Sequence, residues 1–379
     1  MKTLILSCST GEGHNSCAKA IKEYFDSQNE ICMIKDGLDF ISPQVSDVIS
    51  NGHTYIYRHM PYLFKHGYRY YETHPELFHE GTALYNFLTH RTASLYEYVC
   101  EEHFETVVCT HVFAALMLTE MLKLHPMKLA TCFVSTDYTC YPTVKDTSLD
   151  CYFIPSHELA AEFESRSIPK DKIISSGIPV RQMFYSVQTK EQAKIDQGIV
   201  PDHKHLIMMC GSMGCGPMKK TIHKLSAHLP TDWEITVICG SNHKLKRSLQ
   251  RKYADNPSIH IHGFVTDMGM MMDSADLYLS KPGGISVTEA IVKALPMAFV
   301  DAVGGCEDHN HRHYISKVGT ETAADKDKII AICMKLMKDD AERNRMSENL
   351  RKLETKNSSK IIYDHMKNLI EDKYGANSI

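Results

Sequence analysis

The sequence lacks most of what would mark a secreted, metal-stapled, membrane-spanning or nucleic-acid-binding protein. Its 379 residues include a single tryptophan, Trp233, and no window approaches the roughly 18 consecutive apolar residues of a transmembrane helix. Thirteen cysteines contain no Cys-x-x-Cys pair and no zinc-like spacing, so they read as reduced, small core residues. Neither sign of charge dominates: 42 Lys and Arg against 46 Asp and Glu leave a net charge of -4, which gives no global attraction to nucleic acid. The apolar run Leu4–Leu6 near the start is too short for a signal peptide, so the expectation is a protein made and kept in the cytoplasm.

What is present is rhythm. Short β-rich apolar runs alternate with helical stretches, at Leu4–Leu6, Val107–Cys109, Leu129–Val134, Cys151–Ile154 and Ile173–Ile174. The rhythm restarts at His205–Gly211 and continues through Ile235–Cys239, Ile259–Val265, Leu277–Leu279 and Met297–Val300. Such alternation predicts parallel sheets wrapped in helices. The polar stretch Ser186–Lys204 reads as a linker between two Rossmann-like halves facing a cleft, spanning 1–185 and 204–355. In the tail, 356–379, Ile361, Ile362, Met366 and Ile370 recur at helical spacing and predict a packing helix.

Each half opens with a strand that runs into a glycine-bearing turn. In the first, Gly11-Glu12-Gly13-His14 opens a helix, where free N–H groups and the helix dipole favour an anion or a polar oxygen. The third glycine of a dinucleotide fingerprint is missing. His14 is a candidate base, since an imidazole accepts a proton near neutral pH; its plain alternative is a hydrogen bonder at a helix start. In the second half, Ser280-Lys281-Pro282-Gly283-Gly284 leads into a helix carrying Glu289 about one turn in, suited to a diphosphate followed by a ribose. Val303-Gly304-Gly305-Cys306-Glu307-Asp308-His309-Asn310 opens the next helix at the same sheet edge.

The Lys281–Gly284…Glu289 block, the Glu307…Asn310 block and the Gly11–His14 turn resemble the monogalactosyldiacylglycerol-synthase-like glycosyltransferases, which include bacterial diacylglycerol glucosyltransferases. The resemblance continues through Cys109-Thr110-His111, Ser135-Thr136-Asp137, Ile154-Pro155-Ser156 and Gly177–Arg181, nearly the whole chain. It implies a GT-B fold of two Rossmann-like domains, a UDP-sugar donor, a diacylglycerol-like lipid acceptor, and inversion with neither metal nor cofactor. By the same resemblance Gly211, Ser212 and Gly214 would face the diphosphate, Phe264 and Val265 the uracil, Gly283 and Gly284 the phosphates, and Glu289 the ribose. Glu307 and Asn310 would address the sugar, and His14 would be the base on the acceptor side, with Gly11 and Gly13 in its loop and Asp137 beside it.

Two departures stand out. Cys306 occupies the position where the family usually has Gln, leaving the sugar open, and Tyr138-Thr139-Cys140-Tyr141-Pro142 follows the Thr-Asp pair where a His and a Trp are common. Nine of the 19 tyrosines fall in residues 51–100, with Phe64, Phe78 and Phe87, a composition suited to a lipid headgroup boundary or to core packing. Arg58, Lys65 and Arg69 are offset by Glu72, Glu76 and Glu80, so attachment to the inner face of the membrane would be peripheral and lean on apolar contact. The basic run Lys244, Lys246, Arg247, Arg251 and Lys252 reads as a solvated helix face. A soluble UDP-sugar enzyme of the epimerase kind and a non-catalytic nucleotide-sugar binding protein remain alternatives on the same fold.

Overall fold

The structure is a computed structural model that describes residues 1–375 except 10, 43, 45–51, 53–54, 56–59, 215, 301–304, 324–327 and 354. Thr10, Arg58, Cys215, Val303 and Gly304 therefore lie outside the described residues, as does much of the first part of the tyrosine-rich stretch. The chain divides into two compact units, residues 1–181 with 356–379, and residues 182–355.

The first unit is built on six parallel strands: β1 (Lys2–Ser7), β2 (Ile31–Asp36), β3 (Thr106–Cys109), β4 (Ala130–Val134), β5 (Cys151–Ile154) and β6 (Ile173–Ser175), in the order β2-β1-β3-β4-β5-β6. The central strands are buried along their length, as a parallel sheet covered on both faces requires. The helix after β1, α1 (Glu12–Ser27), turns Cys17, Ala18, Ile21 and Phe25 inward at helical spacing. The aromatic stretch supplies α2 (Pro61–Thr73), and β3 is followed by α3 (Val112–Leu124). The C-terminal helix Ser358–Tyr374 packs on α1 and β4 in this unit: the Ser359 hydroxyl donates to the Ala20 carbonyl at 3.1 Å, and the Tyr363 ring meets Phe25 edge-on.

The second unit has five parallel strands: β7 (Lys204–Met209), β8 (Trp233–Ile238), β9 (Ile259–His262), β10 (Leu277–Ser280) and β11 (Met297–Phe299), in the order β11-β10-β7-β8-β9. Its helices include α4 (Met218–Ser226), α5 (His243–Lys252), α6 (Gly284–Val292) and α7 (Cys306–Val318). Trp233, at the start of β8, is a core residue with the Arg343 guanidinium 4.9 Å above its ring. The described cysteines are all free thiols.

Candidate active site

In each sheet the strand order reverses once, and open parallel sheets bind ligands at the carboxyl ends of the strands at that reversal. In the first unit it lies between β1 and β3, and His14 stands there. Its Nδ1 is 2.9 Å from the Thr110 carbonyl oxygen at the end of β3 and 3.0 Å from the Thr136 hydroxyl, which follows β4. Its ring meets that of His111 edge-on, centroids 4.5 Å apart. The local frame is fixed by short polar links. The Ser9 N–H donates to Asp36 at 2.8 Å, Ser7 Oγ donates to Asn15 Oδ1 at 2.7 Å, and Nδ1 of His111 accepts from the Phe113 N–H to cap α3.

Burial lowers the His14 pKa below its ordinary value, while the negative charge of Asp137 and the Thr110 carbonyl pull it back up. Asp137 is only 9% exposed and accepts a hydrogen bond from the Tyr141 phenol. The imidazole is thus held neutral, with a carboxylate near enough to favour the proton once it arrives. An aromatic path leaves this site. His111 touches Phe113, Phe113 stacks on Phe78, and Phe78 meets Tyr71 of α2, whose hydroxyl lies 2.6 Å from that of Thr143.

In the second unit the reversal lies between β7 and β10. Residues 211–214 follow β7 and are locked to the exit of β8: Ser241 N–H donates to Ser212 O at 2.9 Å, and the Asn242 side chain donates to Gly214 O at 3.1 Å while capping α5. Only glycine fits at two of these points. A Cβ on Gly214 would come 2.2 Å from the Cys239 carbonyl oxygen, and one on Gly240 would come 1.9 Å from that of Ser212. A Cβ on Gly216 would sit 3.5 Å from Lys281 Cε, so Gly216 abuts the end of β10. There Gly283 caps α6 without a side-chain bond and with open space around it, leaving the first N–H groups of the helix unclaimed by a cap.

The residues expected at the site distribute as follows. His14, with Gly11 and Gly13 in its turn, and Asp137 gather at the first reversal; Gly211, Ser212, Gly214, Gly283 and Gly284 gather at the second. Glu289 is half-buried on α6 and its charge reaches the buried Tyr278 phenol. Phe264 is 71% exposed just past β9, with Val265 half-buried beside it. Glu307 is half-buried in the first turn of α7, whereas Asn310 is wholly buried and its amide donates to the Pro282 carbonyl at 3.0 Å. Asn310 therefore props the Pro282–Gly284 turn from beneath. Sequence reasoning did not single out Tyr141, the partner of Asp137, nor Gly240 and Asn242, although Cys239-Gly240-Ser241-Asn242 repeats the strand-then-glycine pattern of the other turns. Among the described residues no group of three or more His, Cys, Asp or Glu could hold a metal ion.

Two family models match the chain. Residues 14–180 match the family model for monogalactosyldiacylglycerol (MGDG) synthase, and residues 205–369 match that for the glycosyltransferase family 28 C-terminal domain. The chain is 26% identical over 323 residues to a processive diacylglycerol beta-glucosyltransferase of Staphylococcus saprophyticus, spanning 83% of this chain and 79% of that protein. Among solved structures it resembles Acinetobacter baumannii MurG (TM-score 0.63, 12% identity, 97% of this chain and 99% of that one). It also resembles UDP-GlcNAc 2-epimerase from Neisseria meningitidis bound to UDP-GlcNAc (TM-score 0.61, 15% identity, 97% and 100%). At these identities the structural likeness establishes the fold alone.

Proposed function

Because the chain belongs to the monogalactosyldiacylglycerol-synthase-like glycosyltransferases of family 28, with their GT-B fold class, we propose that it moves a hexose from a UDP-sugar to diacylglycerol with inversion at the sugar carbon. The relatives' name as diacylglycerol glucosyltransferases supports both the acceptor and glucose as the sugar. The observation that carries the catalytic reading is His14, a neutral imidazole at the strand-order reversal with Asp137 nearby. In this reading the imidazole takes the proton of the attacking hydroxyl as the bond from the sugar carbon to the diphosphate oxygen breaks, and Asp137 stabilises the imidazolium that results.

On the donor side, Gly211, Ser212, Gly214, Gly283 and Gly284 would surround the diphosphate, whose charge the uncapped start of α6 favours. Glu289 would accept from the ribose hydroxyls, Phe264 and Val265 would flank the uracil, and Glu307 would reach the sugar. Asn310 would act through the turn it supports. The reading calls for no metal and no cofactor, so activity should persist in a chelator.

No described helix is long and apolar enough to cross a membrane. A diacylglycerol acceptor would then be met by peripheral attachment at the inner face of the cell membrane, through apolar side chains that α2 and its neighbourhood leave exposed, such as Leu63, Tyr70 and Phe87. Incubation with radiolabelled UDP-glucose or UDP-galactose and diacylglycerol, followed by lipid extraction, tests the whole reading. Label should appear in the lipid phase. Label recovered only as an altered nucleotide sugar would transfer the chain to the epimerase reading.

A further inference from the structure

β7, β8 and β9 are neighbours in chain order, so the two right-handed crossovers between them put α4 and α5 side by side on one face of the second sheet. The helices are tied together: Lys252 Nζ donates to His223 Nδ1 at 2.9 Å, and the Ser226 and Tyr253 hydroxyls are 3.3 Å apart. Met218, Ile222 and Leu225 of one, and Leu245 and Leu249 of the other, face the core. The outward residues are Lys219, Lys220, His223 and Lys224, then His243, Lys244, Arg247, Arg251 and Lys252, with Lys246 half-buried. Neither helix contains an Asp or a Glu.

Eight of these residues of α4 and α5 are Lys or Arg. Lys22, Lys204 and Lys360 each meet a carboxylate at 2.9 Å or less, whereas none of the eight has a carboxylate partner among the described residues. In a chain whose net charge is -4, they concentrate uncompensated positive charge on one face. A solvated face with no partner would gain nothing from such clustering, because like charges on adjacent turns repel. A single-stranded nucleic acid would want exposed aromatic platforms beside the charge, and neither helix exposes a large apolar side chain. A sheet of phosphate headgroups needs only the charge.

We propose that α4 and α5 form an electrostatic docking face for a bilayer rich in anionic phospholipid. The contact is made at headgroup level, without insertion. It rests on the lipid-acceptor reading and adds to it a surface, and a lipid class, separate from the apolar side chains of the first unit.

The test uses the full chain with vesicles of pure phosphatidylcholine and vesicles containing 30% phosphatidylglycerol, at about 0.1 and 0.5 M salt. Binding should favour the anionic vesicles and weaken in high salt, since charges near the surface act only within about a Debye length. The variant Lys219→Gln/Lys220→Gln/Lys244→Gln/Arg247→Gln/Arg251→Gln should bind anionic vesicles at least about tenfold more weakly, while the corresponding Lys→Arg and Arg→Lys set binds normally. Both should retain the wild-type melting temperature and the wild-type rate on a short-chain diacylglycerol dispersed in neutral detergent. Equal binding of wild type and the Gln variant to anionic vesicles overturns the proposal. Absence of transfer to the dispersed short-chain acceptor would instead overturn the lipid-acceptor reading itself.

Discussion

The carbonyl oxygen of Thr110 lies 2.9 Å from Nδ1 of His14, and that contact decides where the imidazole proton sits. A carbonyl can only accept, so Nδ1 carries the hydrogen and the lone pair lies on Nε2, the atom that the proposed general base would use. The same arrangement, a backbone acceptor on one ring nitrogen and chemistry on the other, is what a general base requires.

His14→Ala should therefore lower turnover about 100- to 10,000-fold, the usual range for general-base catalysis, and leave UDP affinity nearly unchanged, because the proposed nucleotide contacts all belong to the second unit. Burial holds the imidazole below its ordinary value, so the rate should stay flat through neutral pH and fall only below about 6.5. A pH–rate profile with calorimetric UDP titration checks both. A nearly fully active His14→Ala alongside an inactive Asp137→Asn with normal UDP affinity would move the role to Asp137.

The glycine turns of the second unit should separate into two kinds. At Gly240 and Gly214, with φ of 54° and 56°, alanine would drive a methyl into the carbonyl of Ser212 or Cys239. Either change should cost roughly 2 to 4 kcal/mol of stability, read as a lower urea midpoint. Gly283 has φ of -73° and open space where its Cβ would stand. Gly283→Ala should stay within about 1 kcal/mol of wild type yet weaken UDP binding about tenfold, since the methyl enters the space proposed for a phosphate. Normal UDP affinity in a stable Gly283→Ala protein would remove the phosphate from that turn.

Those contrasts show what was legible in the sequence. A glycine pair after an apolar run marks a strand-turn-helix unit, so His14 and the Pro282–Gly284 turn could be located without coordinates. The glycine at 240 also follows a strand, yet what makes it obligatory is the β7 loop lying across it, a contact between segments distant in sequence. Tyr141 looked like a departure in the acceptor loop and is instead the phenol that holds Asp137. Asn310 read as a polar group at a helix start; its burial under Pro282 depends on how α7 packs, which spacing does not encode. The polar stretch 186–204 read as linker, yet it contains the helix Lys190–Asp196 capped by Thr189, whose sequence shows little amphipathic signal because it buries only Ala193 and Lys194.

On α2, Leu63 and Tyr70 are seven residues apart on one face and are 50% and 54% exposed, while Tyr71 turns inward to Thr143. The double variant Leu63→Ser/Tyr70→Ser should slow transfer to long-chain diacylglycerol in vesicles about tenfold, the scale of one or two apolar side chains returned to water. Transfer to a dispersed short-chain acceptor should not change. Equal loss on both acceptors would assign these side chains to packing and not to the membrane.

His205 supplies a prediction about acid stability that is independent of catalysis. It is fully buried in β7 between two hydroxyls, with Nδ1 2.9 Å from Ser274 Oγ and Nε2 2.8 Å from Thr236 Oγ1. Ser274 gives its own proton to the Met271 carbonyl at 2.7 Å, so it accepts from Nδ1–H, and Thr236 donates to Nε2. Both ring nitrogens are satisfied only while the imidazole is neutral. Burial accordingly pushes its pKa from 6.5 down to about 4, with Asp276 pulling weakly the other way. A pKa lower in the folded than in the unfolded chain means that the stabilisation is complete above about 6.5 and is lost as pH falls towards 4. From pH 7.5 to 4.5 this one residue should remove roughly 2 to 3 kcal/mol. His205→Gln keeps an amide in the same place and cannot titrate. It should be less stable than wild type at pH 7.5, and the gap in urea midpoint should narrow by most of that amount at pH 4.5. Parallel loss of stability in the two proteins over this range would show that His205 is not the group that protonates.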